Sequence, residues 1–326
     1  MNAGNRFIAS AALAALAAFS ISPTAQAAFT DGSTPYTDLT GTGTTSDSYG
    51  SPAAAGWHNN SVDGGDSVYW EYPAHGNAPL YYQETWGSTL KTIGTVIIDT
   101  STRPFSGTVY AQTSPGGPYS TVVGSFGPNS KRGVTVVNPT TTSMYGIKIE
   151  INSSTDSSWY QAGEVSLYKE TFDNVARGQT SVFTVNGSPS GGGSLTDESW
   201  GTEWRSSTSP GTYTAGFEFT DGLAHPVQAL RYAGGVPHAA NYYVWRNPTV
   251  QIKQGGIWSD LGTVNFSNTS ESLRWIDFGA QLQVQGVRFS GVNPGINNGG
   301  DVFIDEIMAL AMPPSPPPSG TVVMLR

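Results

Sequence analysis

After residue 30 this chain nowhere sustains the periodic runs of Glu, Lys, Leu and Ala that a long helix needs. In their place stand short segments such as "GTVIIDT" (94–100), "GTVYAQT" (107–113), "YGIKIEI" (145–151), "TVQIK" (249–253) and "VQGVRFSGV" (284–292). Each alternates or runs β-branched, and clusters of Gly, Pro, Asn and Ser bound them at strand spacing. The pattern predicts an all-β protein, either sandwich or barrel. At 326 residues there is room for two domains, each with its own core. The chain has no cysteine. Disulfides and thiolate metal sites are therefore excluded, and outside a cell the cores must stand alone or be helped by a hard cation.

The two ends read differently from the middle. Residues 1–27 combine one basic residue, Arg6, with a short alanine-rich apolar run and the small-residue ending "SPTAQA". This is the layout of a secretory signal peptide, with cleavage expected after Ala27, and the run is too short to span a bilayer. The expected location is outside the cell, in a periplasm or at the cell surface. Loss of Arg6 takes the formal charge from −9 to −10 and leaves fourteen of the fifteen Lys and Arg residues. So acidic a chain, with no basic patch, is a poor partner for phosphate backbones, which excludes nucleic-acid binding. Residues 312–326, "MPPSPPPSGTVVMLR", predict an extended Pro-rich tail whose "TVVMLR" end is too short to cross a membrane.

Aligned against itself, the chain repeats one plan. The first half runs "SVDGGDSVYWE" (61–71), "YYQETWGSTLKTIGTVIIDT" (81–100), a hairpin with a Gly-Gly tip at "SPGGPY", and "GEVSLY" (163–168). The second runs "SLTDESWGTEWRSS" (194–207), "GFEFTDG" (216–222), the hairpin "TVQIKQGGIWSDLG" (249–262), and "FIDEIMAL" (303–310). The expected domains are residues 28–170 and 171–311, with the boundary near Glu170 to Asp173.

These elements resemble the discoidin-like, or coagulation-factor type C, domain of the galactose-binding-domain-like β-sandwiches that include family-32 carbohydrate-binding modules. "NVA" (174–176), "LTDESWGTEWRSS" and "YYVWRNPTVQIKQGGIWSDLG" (242–262) carry the likeness in the second half, with Trp258 as the inward-packing Trp of its hairpin. "SVDGGDSVYW" and "GEVSLY" carry it in the first, where Tyr119 stands in place of that Trp. The resemblance implies two tandem jelly-roll β-sandwiches and a Ca2+ ion tying the Asp-Gly loop to the Glu of the last strand. Carried across, the ligands are Asp63, Asp66 and Glu164 in the first domain and Asp197 and Glu306 in the second. Glu198 stands where the family has a Gly that permits a left-handed turn. An ordinary solvent-facing Asx-turn is the other reading of both loops.

A sugar site needs aromatic faces for pyranose C–H surfaces and planar polar groups for hydroxyls, and sandwiches carry such sites on loops. The resemblance places the ligand on the loops at one end. The candidates in the first domain are Trp57, His58, Arg103 and Trp159; in the second they are Arg205, His238, Asn241 and Asn298, with Tyr232 in the same stretch. The alternative for each loop aromatic is a lid on the core. Enzyme signatures are thin: the four histidines have no metal-ligand spacing, and no G-x-S-x-G elbow occurs. The expected function is non-catalytic carbohydrate binding. A β-sandwich lyase or glycoside hydrolase, and a structural cell-surface or matrix protein, are the alternatives.

Overall fold

The computed structural model describes residues 29–47, 70–73, 80–99, 105–127, 134–154, 159–162, 165–190, 192–198, 204–206, 211–233, 247–264, 273–292, 302–304 and 306–313. Every regular element among them is a strand. In chain order these are β1 (Thr30–Asp31), β2 (Thr44–Asp47), β3 (Trp70–Pro73), β4 (Leu80–Thr85), β5 (Lys91–Thr92), β6 (Thr95–Asp99), β7 (Phe105–Gln112) and β8 (Tyr119–Phe126). Then come β9 (Val134–Val137), β10 (Ser143–Met144), β11 (Gly146–Ser154), β12 (Trp159–Ala162), β13 (Val165–Tyr168) and β14 (Asp173–Asn174). The second half continues with β15 (Thr180–Val185), β16 (Ser188–Pro189), β17 (Trp204–Ser206), β18 (Thr212–Glu218), β19 (His225–Ala233) and β20 (Thr249–Gln254). It closes with β21 (Ile257–Thr263), β22 (Leu273–Val284), β23 (Gly286–Val292), β24 (Val302–Ile304) and β25 (Glu306–Ala311). No described helix is long and apolar enough to cross a membrane.

Two sandwiches result, and they share one topology. The first packs the sheet β2-β4-β11-β7-β8 on β13-β6-β9; the second packs β16-β15-β18-β23-β20-β21 on β1-β22-β19-β25-β14. Thus β4-β11-β7-β8 repeats as β18-β23-β20-β21, and β9-β6-β13 repeats as β22-β19-β25. The period-two patterns supply each core: Ile147, Ile149 and Ile151 face inward in β11, and Val287 and Phe289 do so in β23. Both Gly-Gly tips form as expected, with Gly116, Gly255 and Gly256 at positive φ.

A third apolar cluster joins the sandwiches. Ile97 and Val134, on the outer face of β13-β6-β9, pack with Ala229, Trp275, Met308 and Leu310 from the neighbouring sandwich. The residues between them are aromatic. Tyr36 stacks on Phe172 with ring centres 4.0 Å apart, and Tyr168 and Trp275 meet this pair edge-on or tilted. Four sheets are therefore layered with their two inner neighbours back to back. The linker runs tight against the first sandwich: Thr95 accepts from the Phe172 amide at 3.0 Å, and a Cβ on Gly94 would sit 2.4 Å from the Glu170 carbonyl carbon.

Residues 29–47 strap the two units together. Phe29 packs on the second core, and β1 pairs with β22 of the second sandwich. Tyr36 crosses the junction; beyond it Asp38 bridges to Tyr168, and β2 pairs with β4 in the first sandwich. The fully buried Glu84 carboxylate then holds the strap, accepting from the Gly41 amide at 3.0 Å, the Gly43 amide at 2.6 Å and the Tyr82 hydroxyl at 2.9 Å. Each acceptor lone pair used here satisfies a donor that would otherwise be stranded, which is what makes a buried carboxylate tolerable.

The Tyr36 hydroxyl is buried without a hydrogen-bond partner among the described residues. Burial first, then the charges of Asp277 and Glu170, push its phenol well above the ordinary value of 10.0. The phenol holds its proton more tightly when folded, so its contribution is complete below about pH 10 and is lost as pH rises beyond that. Tyr36→Phe removes a stranded donor and keeps the stack. We expect it to raise stability by about 1 kcal/mol and to flatten the alkaline fall in melting temperature, measured by calorimetry from neutral pH upward.

Candidate functional site

Two short ladders occupy equivalent places in the two sandwiches. In the first, β12 pairs with β3, setting Trp159 opposite Pro73 and Ala162 opposite Trp70. In the second, β17 pairs with β24, setting Arg205 opposite Phe303 and Trp204 opposite Ile304. Each ladder joins the chain leaving the acidic loop to the chain entering the last strand. The next strand over ends at the same place: Ile98 of β6 lies opposite Val165, and Ala233 of β19 lies opposite Glu306.

The described anchors of the candidate loops therefore lie together at one end of each sandwich. The chain leaves β6 toward Arg103 and re-enters at Val165, one residue past Glu164. It leaves β19 toward His238 and Asn241 beside Glu306, and the segment bearing Asn298 leads into β24. Trp57, His58, Asp63, Asp66, Arg103, Glu164, His238, Asn241 and Asn298 themselves lie outside the described residues, as do the side chains of Trp159 and Arg205.

The acidic loop of the second sandwich is described through Glu198, and its ties are explicit. The Leu195 carbonyl accepts from the Ile307 amide at 2.6 Å, fixing the loop on β25 next to Glu306. Thr196 donates its hydroxyl to the Gln179 carbonyl at 2.8 Å and accepts through its own carbonyl from the Gly178 amide at 2.7 Å. Asn174 is the hub. Its Oδ1 accepts from the amides of Ala176 and Ala309 at 3.1 and 3.2 Å, and its Nδ2 donates to Glu198 Oε1 at 3.0 Å. Arg177 Nε reaches Glu198 Oε2 at 2.9 Å.

Glu198 itself has φ 56°. The left-handed turn survives without glycine, at a cost of about 1–2 kcal/mol for a side chain in that region, because the carboxylate is held by Asn174 and Arg177. Asp197 is half-buried, and Glu306 is fully buried on the β25 face that also carries Met308 and Leu310 toward the junction. Among the described residues no group of three or more His, Asp or Glu side chains could hold a metal ion. A cation at this end would thus draw on backbone carbonyls beside Asp197 and Glu306.

Two expectations from the sequence fail. Tyr232 is not a loop residue: it lies in β19, 1% exposed, inside the second core. Trp258 does not pack inward. The Gly255-Gly256 turn sets it opposite Lys253, and directly opposed residues of a ladder share a face, so the indole lies outside with the lysine.

No family model and no curated protein matches this chain. Solved structures do resemble it. The tandem CBM32-1 and CBM32-2 domains of Clostridium perfringens ZmpB align at 12% identity and TM-score 0.34, over 84% of this chain and 94% of theirs. The family 32 CBM of C. perfringens NanJ, solved in complex with galactose, aligns at 14% identity and TM-score 0.32, over 40% of this chain and 93% of its own. Allantoicase from Saccharomyces cerevisiae aligns at 14% identity and TM-score 0.32, over 74% and 80%. At these identities and scores the similarity is one of chain path.

Replacing Glu198 separates its two effects. Glu198→Ala keeps the strained backbone and strands the buried Asn174 amide, and should cost about 2 kcal/mol. Glu198→Gly relieves the strain and should cost about 1 kcal/mol; Arg177, largely exposed, contributes little. Denaturant unfolding of both variants measures this, and a Gly variant more stable than the parent would show that the carboxylate bonds contribute less than the backbone strain they hold.

Proposed function

We propose that the chain is a secreted, non-catalytic carbohydrate-binding protein that recognises saccharides through the loops at one end of each sandwich. The observation that carries this reading is the gathering of the candidate loops' anchors. Segments far apart in sequence, leading to Trp57 and His58, to Arg103 and from Trp159, depart from adjacent strand ends. The segments bearing Arg205, His238, Asn241 and Asn298 do the same in the second sandwich. Indole, imidazole, amide and guanidinium groups on neighbouring loops are the chemistry that stacks on a sugar ring and fixes its hydroxyls.

Structural Ca2+ at this end, held by Asp63, Asp66 and Glu164 in the first domain and by Asp197 and Glu306 with carbonyls in the second, belongs to the same proposal. It would order the loops and take no part in any bond cleavage. Two modules joined by a packed junction also present their loop ends at a fixed separation, so a polymer that reaches both gains avidity without new contacts.

A glycan array probed with and without chelator tests the proposal. A saccharide signal that falls about tenfold or more in Trp57→Ala or His238→Ala supports it. A chelator-induced drop in melting temperature supports the cation. Release of reducing ends or unsaturated products from a polysaccharide panel contradicts the non-catalytic reading, and silence on every glycan contradicts carbohydrate binding.

A further inference from the structure

The outer face of the β18-β23-β20-β21 part of the second sandwich is built differently from an ordinary solvated sheet. Its side chains fall into rows across the strands. One row is Glu218, Gly286, Lys253 and Trp258; the next is Gly216, Arg288, Gln251 and Asp260; a third begins Thr214, Ser290, Thr249. The alternate residues Phe217, Val287, Ile252 and Phe289 fill the core beneath.

These rows carry two cations and two carboxylates, of which one pair is in direct contact and the other is joined through Gln251. Lys253 Nζ lies 2.7 Å from Glu218 Oε2. Gln251 Nε2 donates to Asp260 Oδ1 at 2.6 Å, and Gln251 Oε1 accepts from Arg288 Nε at 2.7 Å. The Arg288 guanidinium carbon also sits 4.2 Å from the Trp258 ring centre. Arg288 is thus clamped at its Nε edge and on one flat face. Its two terminal amino groups have no protein partner among the described residues. Beside it, Gly216 leaves the neighbouring strand bare, and a Cβ there would lie 2.4 Å from the Arg288 Cα.

The first sandwich shows what an unspecialised version looks like. Lys148 holds the same place, third in "GIK" as Arg288 is third in "GVR", on the strand that β4 and β7 flank. There the cation is neutralised by an ion pair with Glu150 and covered by the rings of Tyr81 and Tyr110 at 5.0 and 5.5 Å. A fork held rigid with a free edge is found on the second face and not on its counterpart.

We propose that this sheet face is a second, separate binding surface, specific for a carboxylate-bearing sugar such as a uronate unit of an acidic polysaccharide. The free edge of Arg288 takes the carboxylate with two parallel hydrogen bonds, a geometry a guanidinium offers and an ammonium does not. Trp258 and Gln251 border the ring, and Gly216, with no side chain of its own, lets the Arg288 backbone approach its strand closely. Fork geometry selects the occupant: with Glu218 and Asp260 on the same face, the attraction is local to the free edge of Arg288 and needs a planar carboxylate that can reach both terminal amino groups. The proposal rests on the carbohydrate reading above but uses none of the loop residues.

Calorimetric titration of the full mature chain tests it with three probes: an oligogalacturonate and a Glu-rich peptide, both in chelator so that polyuronate–calcium gels play no part, and a neutral galacto-oligosaccharide with Ca2+ present. Arg288→Ala should weaken oligogalacturonate binding about ten- to a hundredfold, leave neutral-sugar binding unchanged, and lower the melting temperature by only a few degrees through the lost Gln251 and Trp258 contacts. Arg288→Lys should lose most of the same affinity, and Lys148→Ala none. Neutral-sugar binding without oligogalacturonate binding overturns this site and leaves the proposed function standing. So does oligogalacturonate binding indifferent to Arg288. Binding of neither saccharide overturns both. Peptide binding as tight as the uronate's, with the same dependence on Arg288, overturns the saccharide specificity.

Discussion

The stack of Tyr36 on Phe172, closed by Tyr168 and Trp275, is the contact on which the rest of this molecule depends. It covers the outer faces of β13-β6-β9 and β22-β19-β25, which carry Ile97, Val134, Met308 and Leu310 and would otherwise be apolar patches in water. Aromatic pairs of this geometry add about 0.5–1.5 kcal/mol each beyond the area they bury. The strap of residues 29–47 threads through the same contact, supplying the edge strand β1 to the second sandwich and β2 to the first. With the two units packed this way, the inner sheets of both are held against each other.

Around that junction the chain uses one topology twice and varies what the strands carry. Seven strands of each sandwich correspond in order, and the short ladders β3/β12 and β17/β24 recur at the same end. Among the positions that differ are Glu198 in a left-handed turn, Arg288 in place of Lys148, and Trp258 in place of Tyr119. Tyr119 donates its hydroxyl to the carbonyl of Glu84 in β4 at 3.3 Å. Trp258 instead carries a guanidinium. Similar backbones have thus been given different surfaces.

Much of the fold was legible because strands and tight turns are local. Alternation marked β11 and β23, and the paired glycines marked both hairpin tips. The facing of Trp258 is legible too: across the two-residue turn it opposes Lys253, which cannot face the core. The environment of Tyr232 was hidden by the glycines just after it, which advertise a loop although β19 runs through Ala233. No local signal marks the strap, because "FTDGSTPYTDLT" (29–40) has neither strand length nor alternation and takes its shape from partners more than 100 residues away, Trp275 and Leu167. Glu198 shows the same dependence. Its left-handed backbone follows from bonds to Asn174 and Arg177, which spacing alone does not reveal. At the loop ends the sequence supplies residue types, and strand pairing brings together the described anchors of those loops.

Hydrogen exchange by mass spectrometry on the full chain, free and saturated with a neutral saccharide, tests the central claim most directly. Binding at the loop ends predicts slowed exchange in peptides containing β3 and β12, or β17 and β24, and in the segments that lead from β6 and β19, with β1, β22 and the junction unchanged. Protection confined to the junction strands, or no protection anywhere at saturating ligand, would contradict it.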